Sequence, residues 1–518
     1  MKNVIYINCP GNPWIKVAKT LKEKYGYQPV YWIGSPEEDP DLLGVKKEFP
    51  NVIFHNSVDA WKGRFPKDIQ ELAVNTYIDV DFLKRHAHEE LQAIKMMDRM
   101  DQDQRSFNFM ERQRHFRNMI KSWEAVIGLI KPDIVVSQDI PHRLYDYVLN
   151  MICKKYDIPF VMFHHTQFSN RYFITVNSFY TIGDLFAKKW VEYNERENIN
   201  IPTDMLTTYE NVKKTYDEAA PSYMQKESVL QQKSDKLFYM TRLTIKKLLT
   251  KYRPYLTGCP AGPTIISHCA YDKRKSKKYE ESEGNIYIHE YNIRKANRLK
   301  KKLKDKYFSY ISKPNYNENY VVHFLHYQPE GTTCPGGDIF VDQSLCVEVL
   351  LKNLPKDYKV YVKEHPHQFL RYRIGHSGRM CDLYDDLVKN ERVKLISTEE
   401  DTFSLIQHAK AVSTITGTVG WEAIVRKKPV IVFGICWYEN YKDGVLRITK
   451  NQTGEQISHF INNYQYNEKS LLSYLAAVGE ETYSACYRLN DYRHSDNYNE
   501  EDNNETIIRS ILNVMEKK

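Results

Sequence analysis

Short apolar runs alternate with amphipathic stretches over the first 180 residues of the chain. The runs have the length and composition of buried strands and cover residues 4–8, 29–34, 52–55, 133–138 and 158–164. After the first run, the pattern predicts a helix that Asn12 caps, with Pro13 at its first position and Gly26 just past its end. The apolar face of this helix consists of Trp14, Val17, Ala18, Leu21 and Tyr25. Strands that alternate with helices favour a doubly wound parallel sheet, so we expect residues 1–180 to form a Rossmann-like domain.

The pattern changes between residues 181 and 317, where the chain is polar, rich in Lys and Tyr, and helical in its periodicity. We interpret this stretch as a helical insertion or linker. Strand patterns then return at residues 320–326, 359–363, 393–396, 411–415 and 429–433. The expected fold class is α/β, with a second Rossmann-like domain at 318–500 that faces the first across a cleft, and a C-terminal helix at 501–518.

The strand predicted at 359–363 ends in a histidine that is followed by proline. Pro366 biases the backbone of His365 away from the helical region, which holds the imidazole at the end of the strand. Ligands of open α/β sheets bind outside the carboxyl ends of the strands. We therefore expect His365 to donate a hydrogen bond to a bound phosphate, with Lys363 flanking it; a histidine satisfied in a turn and a solvated lysine are the alternatives.

The strand predicted at 411–415 ends in hydroxyls and glycine before a helix begins. The residues expected to bind a phosphate there are Ser413, Thr414, Thr416, Gly417 and Thr418. Backbone amides and the helix dipole favour an anion at such a place. Capping of the next helix by a threonine is compatible with this interpretation, because a cap and a phosphate use the same amides.

Two further features complete the predicted donor side of the cleft. Glu422 lies in the first turns of the helix after residue 417, where it could accept hydrogen bonds from ribose hydroxyls or simply favour the helix dipole. Gln328 and Glu330 begin a loop rich in Gly and Pro after the strand at 320–326. This loop is expected to line the cleft and to be mobile, unless it is an ordinary surface turn.

The first domain supplies the candidate reacting groups on the opposite side. Asp139 directly follows the strand at 133–138, and His142 follows within a turn. Group transfer needs a carboxylate or an imidazole as base or nucleophile, and we expect Asp139 first and His142 second in that role. His164 and His165 end the next strand and are expected to contact the acceptor.

Composition and charge add information in one place. The net charge of the chain is +8, and residues 271–306 alone carry 13 Lys and Arg against six Asp and Glu. This basic stretch is expected to attract an anionic membrane surface, with a solvated helix face as the alternative. No nucleic-acid-binding motif is present, no run approaches the ~18 apolar residues of a membrane span, and the nine cysteines lack metal-site spacing. We expect a cytoplasmic protein that binds neither nucleic acid nor a metal.

The sequence runs around these candidate residues resemble the bacterial capsule polysaccharide biosynthesis family, which includes the Kdo transferases that build the lipid-linked base of capsules. The resemblance lies in HYQPEGTTCPGGDIFVDQ, YVKEHPHQF, STITGTVGWEAI and KKPVIVFG, within residues 320–438. It implies a GT-B fold, a CMP-activated 3-deoxy keto sugar as donor, no metal or other cofactor, and a lipid-linked or polysaccharide acceptor. It also implies a peripheral position on the inner face of the cytoplasmic membrane.

The chain departs from the resemblance at one motif. Family members that transfer Kdo carry Gln-x-x-x-Asp, whereas Gln138 is followed four residues later by His142, with Asp139 adjacent. The transferred sugar, the linkage and the stereochemical outcome therefore stay open. The alternatives are a CDP-alditol phosphotransferase, a UDP-sugar 2-epimerase and a catalytically silent scaffold of capsule export.

Overall fold

The computed structural model describes residues 1–34, 40–101, 107–168, 170–180, 184–214, 286–370, 373–449, 454–488 and 499–516. These residues form two α/β units, each built on its own sheet. Parallel pairs dominate both sheets, so the expected class of two Rossmann-like units is confirmed.

The first sheet has seven strands in the order β13-β6-β5-β4-β1-β2-β3. Its strands are β1 (Lys2–Ile7), β2 (Tyr27–Gly34), β3 (Ile53–Asn56), β4 (Ile134–Ser137), β5 (Phe160–His165), β6 (Arg171–Val176) and β13 (Tyr483–Ser484). Along β1, Val4 and Tyr6 pack into one core cluster while Ile5 and Ile7 pack into another. The strand is thus buried on both faces, which explains its uninterrupted apolar sequence.

The second sheet has six strands, all parallel, in the order β12-β11-β10-β7-β8-β9. They are β7 (Tyr320–Phe324), β8 (Lys359–Lys363), β9 (Val393–Ile396), β10 (Ala411–Thr414), β11 (Val430–Val432) and β12 (Val445–Arg447). The central strands β7, β8 and β10 are those that lead into the predicted donor residues. Because all are parallel, their carboxyl ends meet at one edge.

Helices cover both sheets. In the first half of the chain they are α1 (Trp14–Tyr25), α2 (Pro40–Glu48), α3 (Ser57–Trp61), α4 (Lys67–Val74), α5 (Val80–Arg85), α6 (Ala87–Met96), α7 (Phe109–Ile130), α8 (Leu144–Lys155), α9 (Asp184–Asn194) and α10 (Thr203–Lys213). The later ones are α11 (Ile286–Ser309), α12 (Gln343–Asn353), α13 (Asp382–Val388), α14 (Thr402–His408), α15 (Thr418–Val425), α16 (Gly454–Asn463), α17 (Glu468–Glu481) and α18 (Glu500–Glu516).

The predicted end of helix α1 is confirmed, whereas its predicted start and one residue of its predicted apolar face are not. Gly26 ends it in the left-handed conformation (φ 72°), as predicted for a glycine that accepts this backbone without steric cost. Its start was predicted one residue too early, because Pro13 lies at the cap and the helix begins at Trp14. Tyr25 is about half exposed and does not belong to the buried face.

The C-terminal segment returns to the first unit. Strand β13 pairs antiparallel with β6, and α18 packs against α1 and β6. The predicted second domain ran to residue 500, whereas the chain has already rejoined the first sheet at Tyr483. Helix α18 begins at Glu500, one residue before the predicted start at 501, and its acidic first turn favours the helix dipole.

The described parts of the predicted insertion at 181–317 consist mainly of three helices, with turns and loops between and after them. Helix α9 packs on α17 and α10 on α15, whereas residues 215–285, with much of the basic stretch, lie outside the described residues. Helix α11 packs on the second unit, where the buried Lys300 donates to the carbonyl oxygens of Leu370 (3.1 Å) and Arg373 (2.9 Å). Within the described part of the chain, no helix has the length and apolar character needed to span a bilayer.

Candidate active site

His326, which no local sequence pattern singles out, lies at the centre of the second unit's strand ends. It follows β7, and its Nε2 lies 3.0 Å from Thr414 Oγ1 and accepts from the Thr416 amide at 3.2 Å. Its Nδ1 lies 3.2 Å from Glu330 Oε1. Because an amide N–H only donates, Nε2 must be the unprotonated nitrogen, so Nδ1–H donates to Glu330. One imidazole thus joins Glu330, Thr414 and Thr416.

The turn after β10 is closely fitted around these groups. A Cβ added at Gly417 would lie 2.7 Å from Thr414 Oγ1, which explains why glycine is needed where the chain enters α15. The Tyr438 hydroxyl donates to the Gly417 carbonyl, and a Cβ at Gly420 would meet that hydroxyl at 2.2 Å. Among the described residues, the buried Thr416 Oγ1 has no hydrogen-bond partner. The turn therefore places an unpaired hydroxyl beside the N-terminal end of α15, and a helix N-terminus favours an anion.

His365 lies at the predicted strand end, and its hydrogen bonding fixes its tautomer. Its Nδ1 accepts from the His367 amide at 3.1 Å, so Nε2 carries the proton and is available as a donor. Burial lowers the pKa of His365 well below its ordinary value, and the neighbouring His367 and His326 lower it further. The ring is then neutral at pH 7 and still offers an N–H. Pro366 follows it as the first residue of a short 3-10 helix.

A buried ion pair fixes the ends of β7 and β8 relative to each other. Glu364 and Arg379 form two hydrogen bonds of 2.9 Å, and Tyr384 donates to the same carboxylate at 2.6 Å. Glu364 Oε1 also accepts from the His365 amide at 2.8 Å, while Arg379 Nη2 donates to the His326 carbonyl at 2.8 Å. This pair thus links the ends of β7 and β8. The signal in the sequence that could have pointed to Glu364 is its position inside the Lys-Glu-His-Pro run.

Other predicted donor residues have structural partners. Lys363 is buried, and its Nζ donates to the Glu400 carbonyl (2.6 Å) and to Thr402 (2.8 Å), so its amine is engaged at the start of α14. Burial lowers the pKa of Lys363 to about 8. Ser413 lies within β10, 2.9 Å from His323 Nδ1. Both side chains have partners within the second unit, and their predicted contact with a donor stays a prediction.

The loop after β7 lies between the two units. The backbone N–H of Gln328 donates to Gln368 Oε1 at 2.9 Å, and Gln368 Nε2 donates to the Gln328 carbonyl at 3.0 Å. These two hydrogen bonds fix the start of the loop. Farther on, Asp338 contacts His88 (2.7 Å) and Gln92 (3.2 Å) of α6 in the first unit. The loop was expected to be mobile, but these contacts hold it across the cleft.

Glu422 lies in α15, buried at 6% exposure. Thr418 Oγ1 donates to Glu422 Oε1 at 3.4 Å, and burial raises the pKa of Glu422 to about 7. A carboxyl with this pKa serves as a donor or an acceptor near neutral pH. Its predicted contact with a ribose stays a prediction.

The first unit contributes Asp139 and His142 after β4. The Asp139 carboxylate accepts from Arg488 at 3.1 Å, in a pair that the C-terminal segment completes. Burial alone would raise the pKa of Asp139, but the guanidinium groups of Arg488 and Arg143 hold it below its ordinary value. Asp139 is therefore an ionised carboxylate that already has a cationic partner.

His142 follows Asp139 in the same turn and offers a different group. Its Nδ1 lies 2.8 Å from the Ile140 carbonyl, which can only accept, so Nε2 has a free lone pair. Burial lowers the pKa of His142 to about 3, with Arg143 adding to the effect, which keeps the ring neutral. A Cβ added at Gly331 would lie 2.7 Å from His142 Cδ2. The loop after β7 therefore touches His142, and the carboxyl ends of the two sheets meet there.

The tandem histidines of β5 differ in their surroundings. His164 is buried, stacks on Phe173 and lies 2.7 Å from Thr175 Oγ1 on the neighbouring strand. His165 is exposed at the end of β5. His164 is thus engaged within the sheet, and His165 is the member of the pair that a ligand could reach.

Within the described residues, no group of three or more His, Cys, Asp or Glu side chains is arranged to hold a metal ion. Asp79, part of an Asp-x-Asp sequence, caps α5 by accepting from the amides of Asp81 and Phe82.

Comparison with known proteins identifies the family. Residues 195–457, just over half of the chain, match the family described as "Capsule polysaccharide biosynthesis protein". The chain belongs to this family. The matched region includes His326, His365 and the turn after β10, so the candidate site of the second unit lies within the residues that match the family.

Individual relatives are more distant. A segment of 82 residues, 16% of the chain and 11% of the relative, is 29% identical to the capsule polysaccharide modification protein LipA of Neisseria meningitidis. The chain therefore spans a small part of that relative's length. The β-Kdo 2,4 transferase of Thermosulfurimonas dismutans KpsC is 20% identical over 37% of this chain and 57% of that one, with a TM-score of 0.23. The UDP-GlcNAc 2-epimerase of Methanocaldococcus jannaschii is 13% identical over 90% and 94%, with a TM-score of 0.22.

Proposed function

We propose that this capsule-family protein is a glycosyltransferase that moves a sugar from a CMP-activated donor to a lipid-linked or polysaccharide acceptor. The donor phosphate would lie against His365, Thr416 and the first amides of α15, and the accepting hydroxyl against His142. A Kdo-like keto sugar is the proposed cargo, on the strength of the sequence resemblance. The proposed site of action is the inner face of the cytoplasmic membrane.

The observation that carries this proposal is the approach of Gly331 to His142. It places a neutral imidazole with a free Nε2 lone pair beside the loop that starts at the donor side. The donor side offers neutral hydrogen-bond donors, namely His365 Nε2–H, the Thr416 hydroxyl and helix amides. Such donors stabilise charge that develops on a leaving phosphate. One side can thus hold the departing nucleotide while the other removes a proton from the acceptor.

Calorimetry with CMP, CDP and UDP tests the nucleotide. We expect CMP to bind with equal affinity in EDTA and in excess magnesium, because the proposed phosphate ligands are amides, hydroxyls and a histidine. Preferred binding of CDP would favour an alditol phosphotransferase, and preferred binding of UDP an epimerase. Absence of nucleotide binding would refute the proposal and favour a catalytically silent scaffold of capsule export.

The base can be assigned with two variants. His142→Gln should slow transfer by at least ~100-fold with unchanged CMP affinity, the low end for losing a general base. Asp139→Asn tests the other candidate in the same assay. A large loss in Asp139→Asn alone would make the carboxylate the reacting group, and loss of CMP affinity in either variant would contradict the division of roles between the units.

A further inference from the structure

The imidazole of His326 packs against residues 414–417, which join β10 to α15 and are called the β10–α15 turn below. Its Nε2 accepts from the Thr416 amide at 3.2 Å and from the Thr414 hydroxyl at 3.0 Å. The same hydroxyl oxygen accepts from the Gly417 amide at 3.3 Å. A Cβ added at Gly417 would lie 3.4 Å from both Cε1 and Nε2 of the ring. The position of the turn thus depends on this one histidine.

The contacts between His326 and the turn require one tautomer of the ring. The backbone of His326 is already fixed, because its amide donates to Gln343 Oε1 at 2.9 Å and its carbonyl accepts from Arg379 at 2.8 Å. What remains to be set is the place of the ring proton. A proton on Nε2 would turn an N–H toward the Thr416 amide, and two donors form no hydrogen bond.

Glu330 determines where that proton lies. Its Oε1 is 3.2 Å from His326 Nδ1, and a carboxylate oxygen at this place accepts a hydrogen bond when Nδ1 carries the proton. The Glu330 side chain is 26% exposed, and Gly331, the next residue, lies against His142 of the first unit. A series of carboxylate, imidazole and hydroxyl therefore runs from the boundary between the units into the β10–α15 turn.

We propose that Glu330 and His326 are positioning residues of the donor site: Glu330 fixes the tautomer of His326, and His326 orients the β10–α15 turn. The turn then offers Thr416 Oγ1, which is buried and has no partner among the described residues, to the donor phosphate. The inference rests on the proposed function and deepens it. It changes Glu330 from the expected ligand of the donor into a residue that acts through a histidine.

A double-mutant cycle separates these two roles of Glu330. Calorimetry compares the CMP affinity of the wild type, Glu330→Ala, His326→Phe and the double variant. Each single change should weaken CMP binding by roughly tenfold, the effect of losing one or two hydrogen bonds that hold the turn. In the His326→Phe background, Glu330→Ala should cause little further loss. A carboxylate that touched the donor would cost the same factor in both backgrounds.

Two further variants complete the binding measurements. Glu330→Gln should restore most of the affinity that Glu330→Ala loses, because its amide oxygen also accepts from Nδ1–H. Glu391→Ala, which changes an exposed glutamate before β9, is the matched control and should bind CMP like the wild type. Thermal unfolding checks that every variant is folded.

Two readouts do not depend on a nucleotide. In protein with labelled histidine, the NMR signals of His326, assigned by their absence in His326→Phe, should show the proton on Nδ1 in the wild type and a shift toward Nε2 in Glu330→Ala. Amide hydrogen exchange of the β10–α15 turn should be faster in both single variants, while exchange in β8 stays unchanged. A general loss of stability would instead raise exchange in both places.

Three results would overturn the proposal: a proton on Nε2 of His326 in the wild type, wild-type exchange of the turn in folded Glu330→Ala, or equal losses of CMP affinity from Glu330→Ala in both backgrounds. Failure of the proposed function has a different signature. If CMP does not bind the wild type, the function is refuted, whereas the tautomer and the exchange of the turn still decide whether Glu330 and His326 position it.

Discussion

At the scale of residues, hydrogen bonds to the backbone determine what each histidine offers. The His367 amide leaves His365 with a free N–H, whereas the Ile140 carbonyl leaves His142 with a free lone pair. The two rings are both held neutral by burial, yet one offers an N–H and the other a lone pair. The amino acid is the same, and the division of labour comes from the groups beside it.

Replacing His365 tests the first of these roles. His365→Ala should lower turnover by ~10²–10³, the usual cost of losing one donor to a developing charge, with little change in the melting temperature. His459→Ala, an exposed histidine of α16, is the control and should keep wild-type turnover. Wild-type turnover in folded His365→Ala would make this histidine structural.

The buried carboxyl of Glu422 predicts a pH dependence of stability. Its pKa rises from an ordinary value of 4.5 to about 7 on folding, so the protein gains stability that is complete below pH 4.5 and is lost as the pH rises through about 7. The shift corresponds to roughly 3 kcal/mol. Glu422→Gln should therefore remove a fall in the free energy of unfolding of about that size between pH 4 and 8. Denaturant titrations of both proteins check it, and parallel pH curves would contradict it.

At the scale of elements, the strand ends are held together by the Glu364–Arg379 pair rather than by the sheet alone. The pair reaches the His326 carbonyl on one side and the His365 amide on the other. Since both side chains are almost fully buried, each would be left as an uncompensated charge without its partner. The loops after β7 and β8 depend on this contact for their relative position.

Breaking this pair should be costly. We expect Arg379→Ala to lower the free energy of unfolding by about 3–5 kcal/mol, the cost of leaving a buried charge unpaired. Asp385→Asn, which removes the half-exposed pair with Lys306, should cost at most about 1 kcal/mol. Chemical denaturation measures both, and equal losses would show that burial does not set the value of the Glu364–Arg379 contact.

At the scale of the whole molecule, the chain closes on itself. It builds the first sheet, crosses to the second, and returns through β13 and α18 to the first. This return places Arg488 beside Asp139, so the charge of the predicted catalytic carboxylate is set by a residue 349 positions away. The loop contacts of Asp338 and Gly331 add a second link between the units.

We predict that the exposed face of α11 binds anionic membranes. Lys300 is buried against the second unit, but Lys301, Lys302 and Lys304 are exposed. Each should contribute about 1 kcal/mol at an anionic surface. Changing these three lysines to Glu should abolish sedimentation with vesicles that contain phosphatidylglycerol, and added salt should weaken binding of the wild type.

The matched control reverses three exposed lysines elsewhere, Lys24, Lys67 and Lys188, and should still bind the vesicles. Loss of binding in both triple variants would mean that net charge alone drives the interaction. If the wild-type protein does not bind anionic vesicles, the prediction that α11 binds membranes is wrong.

The sequence by itself determined the strands and the class of fold. Apolar runs bounded by turn residues predicted β8 (Lys359–Lys363) and β9 (Val393–Ile396) with their observed bounds, because a strand buried on both faces leaves a continuous local signal. The same local logic placed His365, Thr416 and Gly417 at strand ends, and Gly26 at the end of α1. These features depend on a few neighbouring residues, which is why they can be read from a single chain.

Only the tertiary structure decided which polar groups are free. Lys363 and His164 looked available but are satisfied by Thr402 and Thr175, partners that no local pattern reveals. His326 looked ordinary but became central because β10 lies beside β7, and hydrogen bonds between those two strands' ends join residues about 90 positions apart. Contacts of this kind depend on the order of strands in the sheet, and that order is a property of the folded chain rather than of any segment of it.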